Sequence, residues 1–487
     1  MRCLTPVVFA LAVATLPAAP KPAPDQATVA HVLNRIAFGP RPGDIERVQA
    51  MGLDRYIDQQ LHPERLPDRD VEPRLAPLTT LRMSSRAIAE TIEQPQIDAR
   101  KAKKAGEEPT PADRKANSVV LELSEQKVLR AIYSERQLQE VLTDFWFNHF
   151  NVDARKGPVR FMLPEYERDV IRPRVLGKFR DLLEADAKSP AMLFYLDNWM
   201  SADPNGPHAP APRPRVVRGP FGPMLVQPPP RVPPKNPNAP KGLNENYARE
   251  LMELHTLGVD GGYTQKDVTE VARCFTGWTI DRPRAGGGFV FRPALHDAGQ
   301  KIVLGHVIKA GGGESDGEQV LDILAKHPST ARFIATALAR RFVGDVPPPA
   351  LVDRAAKRFR DTDGDLREVM RTILASPEFL AADAVGAKMK TPFEFVVSAL
   401  RATGADVQDA TPIVRTLQQL GMPLYQCQPP TGYKETADAW VNTGALVDRM
   451  NFAVRLANQR LNGVAVAVDE PPDDLALRIG GPDFQKR

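Results

Sequence analysis

Asn244-Glu-Asn-Tyr-Ala-Arg-Glu-Leu-Met-Glu-Leu-His-Thr-Leu-Gly258 is the stretch on which the fold turns. At 100° per residue, Tyr247, Ala248, Leu251, Leu254 and His255 fall on one apolar stripe, which predicts a helix capped by Asn244 and stopped by Gly258. His255 then faces inward. Glu250 sits at the edge of the stripe beside Asn246 and Glu253, while Glu245, Arg249 and Thr256 fall on the opposite side, with Glu245 and Arg249 spaced to pair. No fold needs so many ionisable groups in one helix, so the stretch is a candidate site.

A second stretch has the same character. Leu138, Val141, Leu142, Phe145, Trp146, His149 and Phe150 follow the spacing of a core-facing stripe, with Asp144, Asn148 and Asn151 on the other face. A lone histidine on an apolar face is ordinarily a hydrogen-bonded core residue. Two such helices in one chain raise a sharper expectation: they pack together and bring His149, Glu250 and His255 into one neighbourhood.

These residues also carry a resemblance. Leu33-Asn-Arg-Ile-Ala-Phe-Gly-Pro40, the 144–151 and 244–262 blocks, Thr276-Gly-Trp278, His327-Pro-Ser-Thr-Ala331 and Pro429-Pro-Thr-Gly-Tyr433 resemble a bacterial family known as domain of unknown function 1800. The likeness runs from about His31 to about Leu461. Members of that family look exported and are often encoded beside a second exported family of sulfatase-like appearance. The resemblance therefore implies an envelope or secreted role, and a co-exported protein as a partner. It carries over no catalytic residue.

The rest of the chain bounds the reading. Its 487 residues, 42% hydrophobic and 25% charged, suffice for a sizeable core, and a net charge of +4 is too small to argue for nucleic acid. Residues 1–19 read as a secretory signal, with Arg2 ahead of an apolar run and small residues at Ala18 and Ala19. No other apolar run is long enough to span a bilayer, so the mature chain is expected to be periplasmic or secreted. Cys274 and Cys427 would remain as the thiols, either bridged or buried and free. Without a Cys-x-x-Cys-His there is no covalent haem.

Organisation is expected to be mainly α: a compact multi-helical unit, with room for two lobes, and a small antiparallel hairpin of Phe289-Val-Phe291 and Ile302-Val-Leu304. A helical region spans 28–203 and a Pro-rich basic insertion 204–243. A second helical region covers 244–465, and 466–487 reads as a tail. Ser329 is expected to cap a helix through Arg341, Asp365 and Glu368 to form a capping box, and Pro392 to open a helix to Ala402.

For function, the residues point first to a hydrolase acting on an envelope or extracellular polymer, with a carbohydrate favoured. Glu250 is the acid or base, helped by His149 or His255; Asn246, Arg249 and Asp144 hold substrate, and Trp146, Trp278 or Trp440 stack on a sugar. Two alternatives stand beside it. One is a non-catalytic escort of a co-exported protein, in which buried ions only fix helix register. The other is a divalent-metal enzyme drawing on His149, Glu250, Glu253, His255 and His296.

Overall fold

Asn244 does cap the decisive helix: its Oδ1 accepts from the Tyr247 amide at 3.0 Å, and the chain leaves the helix at Gly258 with φ +80°. Between them, Glu245–Met252 is α-helical and Glu253–Leu257 widens into a π turn. The second expected helix, Gln137–His149, does not pack along the first but meets it near its own C-terminal end, where His149 and Phe150 reach the His255 ring; it buries Leu138, Val141, Leu142, Phe145, Trp146 and also Phe147. The computed structural model that shows this describes residues 24–102, 110–206 and 242–487, with the backbone of 215–219 and 222–226. The signal-like residues 1–19 lie outside it. So does most of the Pro-rich insertion, within which Arg215–Gly219 pairs antiparallel with Gly222–Val226.

Around these two helices one apolar core runs from Val29 to Ile479, with a satellite formed by Ile88, Ile92, Ala116, Val119 and Phe161. The architecture is mainly α, as the periodicity indicates. Pro392 opens a helix to Ala402, with Thr391 and Glu394 as its capping box. Ser329 is not a cap. His327 takes that place, its Nδ1 accepting from the Ser329 amide, because Pro328 has no N–H and occupies the first helical position. Asp365 caps its helix through the Glu368 amide. Residues 466–487 include a helix, Pro472–Gly480, packed on Thr443–Ala457.

The β content is a set of separate two-stranded ladders, and the expected partners exchange. Phe289–Phe291 pairs with Trp278–Ile280, and Lys301–Val303 pairs with His306–Ile308. Leu304 and Gly305 explain the second ladder: their φ values of 48° and 80° place both in the left-handed region that a tight two-residue hairpin turn requires. Cys274 and Cys427 are buried and free.

Charge is buried in the C-terminal third. Glu394 is ion-paired with Arg341 at 2.5 Å and with Arg487 at 3.1 Å, which ties Arg487 to the start of the 392–402 helix. Burial by itself would raise the Glu394 carboxyl; the two guanidiniums outweigh it and hold the group at about 2.

One helical glycine tests the packing. A Cβ on Gly317, in the Glu314–Lys326 helix, would lie 2.5 Å from the ring of the wholly buried Trp278. Gly317→Ala should therefore lower the melting temperature, at a cost of roughly 1–3 kcal/mol, although the same change in an open helix gains up to about 1 kcal/mol. A thermal melt showing stabilisation would refute this packing.

Candidate functional site

The structure brings the two histidines together. Their ring centroids are 6.5 Å apart, and His149 Nε2 lies 3.1 Å from the carbonyl oxygen of His255. A carbonyl can only accept, so Nε2 carries the proton and Nδ1 holds the lone pair, without a partner among the described residues. Burial pushes His149 down to about 4, which keeps it neutral near pH 7.

His255 goes deeper. It is 2% exposed, and its Nδ1 faces Asp186 Oδ2 at 3.6 Å, too long for a hydrogen bond; neither atom has another partner. Asp186 comes from the Phe179–Ala187 helix and is 0% exposed. Its Oδ1 lies 2.7 Å from the Tyr166 hydroxyl, which is also 2.8 Å from the Phe150 carbonyl. One phenol proton cannot serve two acceptors. The arrangement is satisfied when Asp186 is a neutral acid that donates to Tyr166, while Tyr166 donates to Phe150. Burial supplies the cause: it pushes the Asp186 carboxyl up to about 8 and His255 down to about 3, so the pair is neutral at pH 7.

The π turn sets this geometry. It adds a residue to the turn, so Thr256, which a straight helix would turn outward, is buried with its Oγ1 on the Leu251 carbonyl at 2.8 Å. On the outer face Glu245 and Arg249 do not pair directly. The Gln265 amide bridges them, donating to Glu245 at 2.8 Å and accepting from Arg249 at 2.7 Å.

Glu250 is half-buried and makes no hydrogen bond or ion pair among the described residues. Burial first, and then the neighbouring Glu253, raise its carboxyl above the usual range. It opens, with Asn246, on a cleft of about 720 Å³ that is also lined by Asp153, Arg155, Tyr195 and Gln428. Arg155 clamps Asp153 through Nε and Nη2, at 2.9–3.1 Å. A second cleft, of about 340 Å³, has His149 and Leu254 in its lining. The 245–257 helix and the 428–431 loop take part in both. Two non-glycine residues near these walls, Asp197 and Tyr425, hold a φ of 61°, a strain that clusters at sites.

Other expected site residues are occupied elsewhere. Trp146 and Trp278 are 0% exposed, and Trp440, at 9%, donates its indole N–H to the Lys434 carbonyl; none of the three can stack on a sugar. Asp144 is ion-paired to Lys127 at 2.6 Å. His296 is buried between Thr276 and Asp316, with Lys301 completing that cluster at 2.6 Å from Asp316. Glu253 accepts from the Tyr263 hydroxyl at 2.9 Å. With His255 sealed by Asp186, the five proposed metal ligands do not converge, and among the described residues no three His, Cys, Asp or Glu side chains are set to share an ion.

Asp153, Tyr166 and Asp186 are absent from the sequence-based candidates. Asp186 was detectable: Phe179, Leu182, Leu183 and Ala187 form an apolar stripe, and Asp186 lies on it as the two histidines lie on theirs.

Fold and site together define a mainly α-helical protein with an internal Tyr–Asp–His chain beneath two adjoining clefts. The chain belongs to the family described as "Protein of unknown function (DUF1800)", whose model matches residues 31–486. No curated protein and no solved structure matches it.

The proton inventory has a measurable sign. A carboxyl whose folded pKa is raised to about 8 gives stability that is present below its ordinary value of 3.8 and lost as pH rises toward 8. Asp186→Asn keeps a donor for Tyr166 and cannot ionise. Its melting temperature relative to wild type should therefore climb, by several degrees, between about pH 4 and pH 8. The contribution of His255 largely cancels in this difference. A deficit that grows with pH would mean that Asp186 is ionised and paired with a cationic His255.

Proposed function

We propose that the protein is an exported hydrolase-like enzyme acting on an envelope or extracellular polymer, with Glu250 as its general acid. The observation that carries this reading is the contrast between two carboxyls in one cleft. Glu250 is half-buried, unpaired and raised in pKa, whereas Asp153 is clamped by Arg155. A carboxyl raised by burial is suited to give up a proton, and one gripped by a guanidinium has its oxygens oriented for a different task. Glu250 would give its proton to the leaving oxygen. Asp153, as an acceptor, would orient or deprotonate the attacking water, and Asn246 would hold the chain being cut.

Such a pair is the usual equipment for opening a glycosidic bond, and this is the support for a carbohydrate. The buried tryptophans contribute nothing to it. An extended substrate fits the open cleft, and the signal-like segment 1–19 is the support for export. Neither histidine serves as direct help to Glu250: His255 is sealed in the core, and His149 belongs to the adjoining cleft.

Glu250→Gln preserves shape and removes the proton. Activity on the natural polymer, or complementation of a deletion strain, should fall on the order of 10² or more while the unfolding free energy stays within about 1 kcal/mol of wild type. In a pH–rate profile the wild type should lose activity as pH rises through the raised Glu250 pKa, because the acid form is the active one. A stable Glu250→Gln protein that complements fully would sink the catalytic reading and favour the escort role.

A further inference from the structure

The smaller cleft has chemistry of its own. Leu254, Phe333 and Tyr433 are half-buried in its walls, and two polar groups in its lining have unused capacity. One is His149, whose Nε2 is spent on the His255 carbonyl and whose Nδ1 has no partner among the described residues. The other is Arg340. Its only bond among the described residues runs from Nε to the Asp345 carbonyl at 3.2 Å, and it has no carboxylate partner.

The remaining charges of the lining are already matched. Glu435 is paired with Arg341 at 3.1 Å, and Lys434 with Asp438 at 3.0 Å. Among the described residues the cleft therefore has one uncompensated cation, Arg340. Phe333 is held in place from below: it packs so closely on Gly258 that a Cβ there would lie 2.8 Å from its ring, and the φ of +80° at Gly258 independently excludes most side chains. A volume of about 340 Å³ is within the range of small-ligand pockets.

We propose that this cleft is a binding site for a small ring-bearing anion that also carries a hydroxyl or N–H donor. The ring lies against Phe333 and Tyr433, the anionic group is held by the free Nη atoms of Arg340, and the donor points to His149 Nδ1. Burial holds His149 neutral, which keeps Nδ1 an acceptor. The site stands whether or not Glu250 is an acid.

The probe is 4-hydroxyphenylacetate, titrated calorimetrically into the full chain beside 4-hydroxyphenylacetamide, which lacks the charge, and phenylacetate, which lacks the donor. The hydroxy acid should bind saturably, with the amide and the des-hydroxy acid each about tenfold weaker or more, as expected for the loss of one charge-assisted or buried hydrogen bond. Arg340→Gln should bring acid and amide to equal affinity. Arg340 is half-exposed with a single bond, so the variant should fold, and a thermal melt checks this. No saturation at about 10 mM, or a preference for the acid that persists in Arg340→Gln, overturns the site. Equal affinity for phenylacetate and the hydroxy acid overturns the assignment of His149 as the acceptor.

Discussion

A carboxyl stripped of water must either surrender its charge or find a cation close enough to keep it. Asp186 surrenders it. With no ammonium or guanidinium bonded to it among the described residues, and of these only Tyr166 within hydrogen-bond distance of its carboxyl, it is stable as an acid, and that choice fixes its surroundings. Tyr166 must point its proton at Phe150, at the end of the Gln137–His149 helix, and His255 must stay neutral against Asp186. The junction between the two central helices is thus held by neutral groups whose orientations depend on a single proton. Glu394 makes the opposite choice, keeping its charge because two arginines reach it. The same desolvation acts on both. What differs is the reach of a cation.

The neutral junction shapes the clefts above it. Because the His255 carbonyl receives His149, the side chain that reaches the smaller cleft has a fixed tautomer. Because the 245–257 helix is anchored by Asn244 at one end and by the buried His255 at the other, Glu250 is displayed between two fixed points. An acid positioned without partners of its own depends on such indirect support.

The helices were legible in the sequence because a 3.6-residue period is a local signal, and so were the caps at Asn244 and Asp365, whose partners lie three residues away. The proximity of His149 and His255 was legible for the same reason: two inward faces in one core have few places to go. What failed was non-local or depended on an irregular turn. Strand pairing hinged on Leu304 adopting a positive φ, which leucine seldom does. Trp146, Trp278 and Trp440 looked like binding surfaces because a large ring suits a core and a sugar equally, and only packing separates the two. The partner of Asp153 lies two residues away, but its companion in the cleft, Glu250, is nearly a hundred positions distant, and no periodicity connects them.

The wide turn at Glu253–Leu257 has one more consequence, which concerns inheritance rather than chemistry. Within it the spacing widens beyond that of a regular helix, so Leu254, His255 and Thr256 reach their contacts in a phase that the residues before it do not share. A substitution in this stretch changes one contact. The loss of a single codon would instead straighten the helix and swing His255 away from Asp186 and Leu254 away from its cleft. Gene variants that alter length here should therefore be far scarcer among functional copies than those that alter identity.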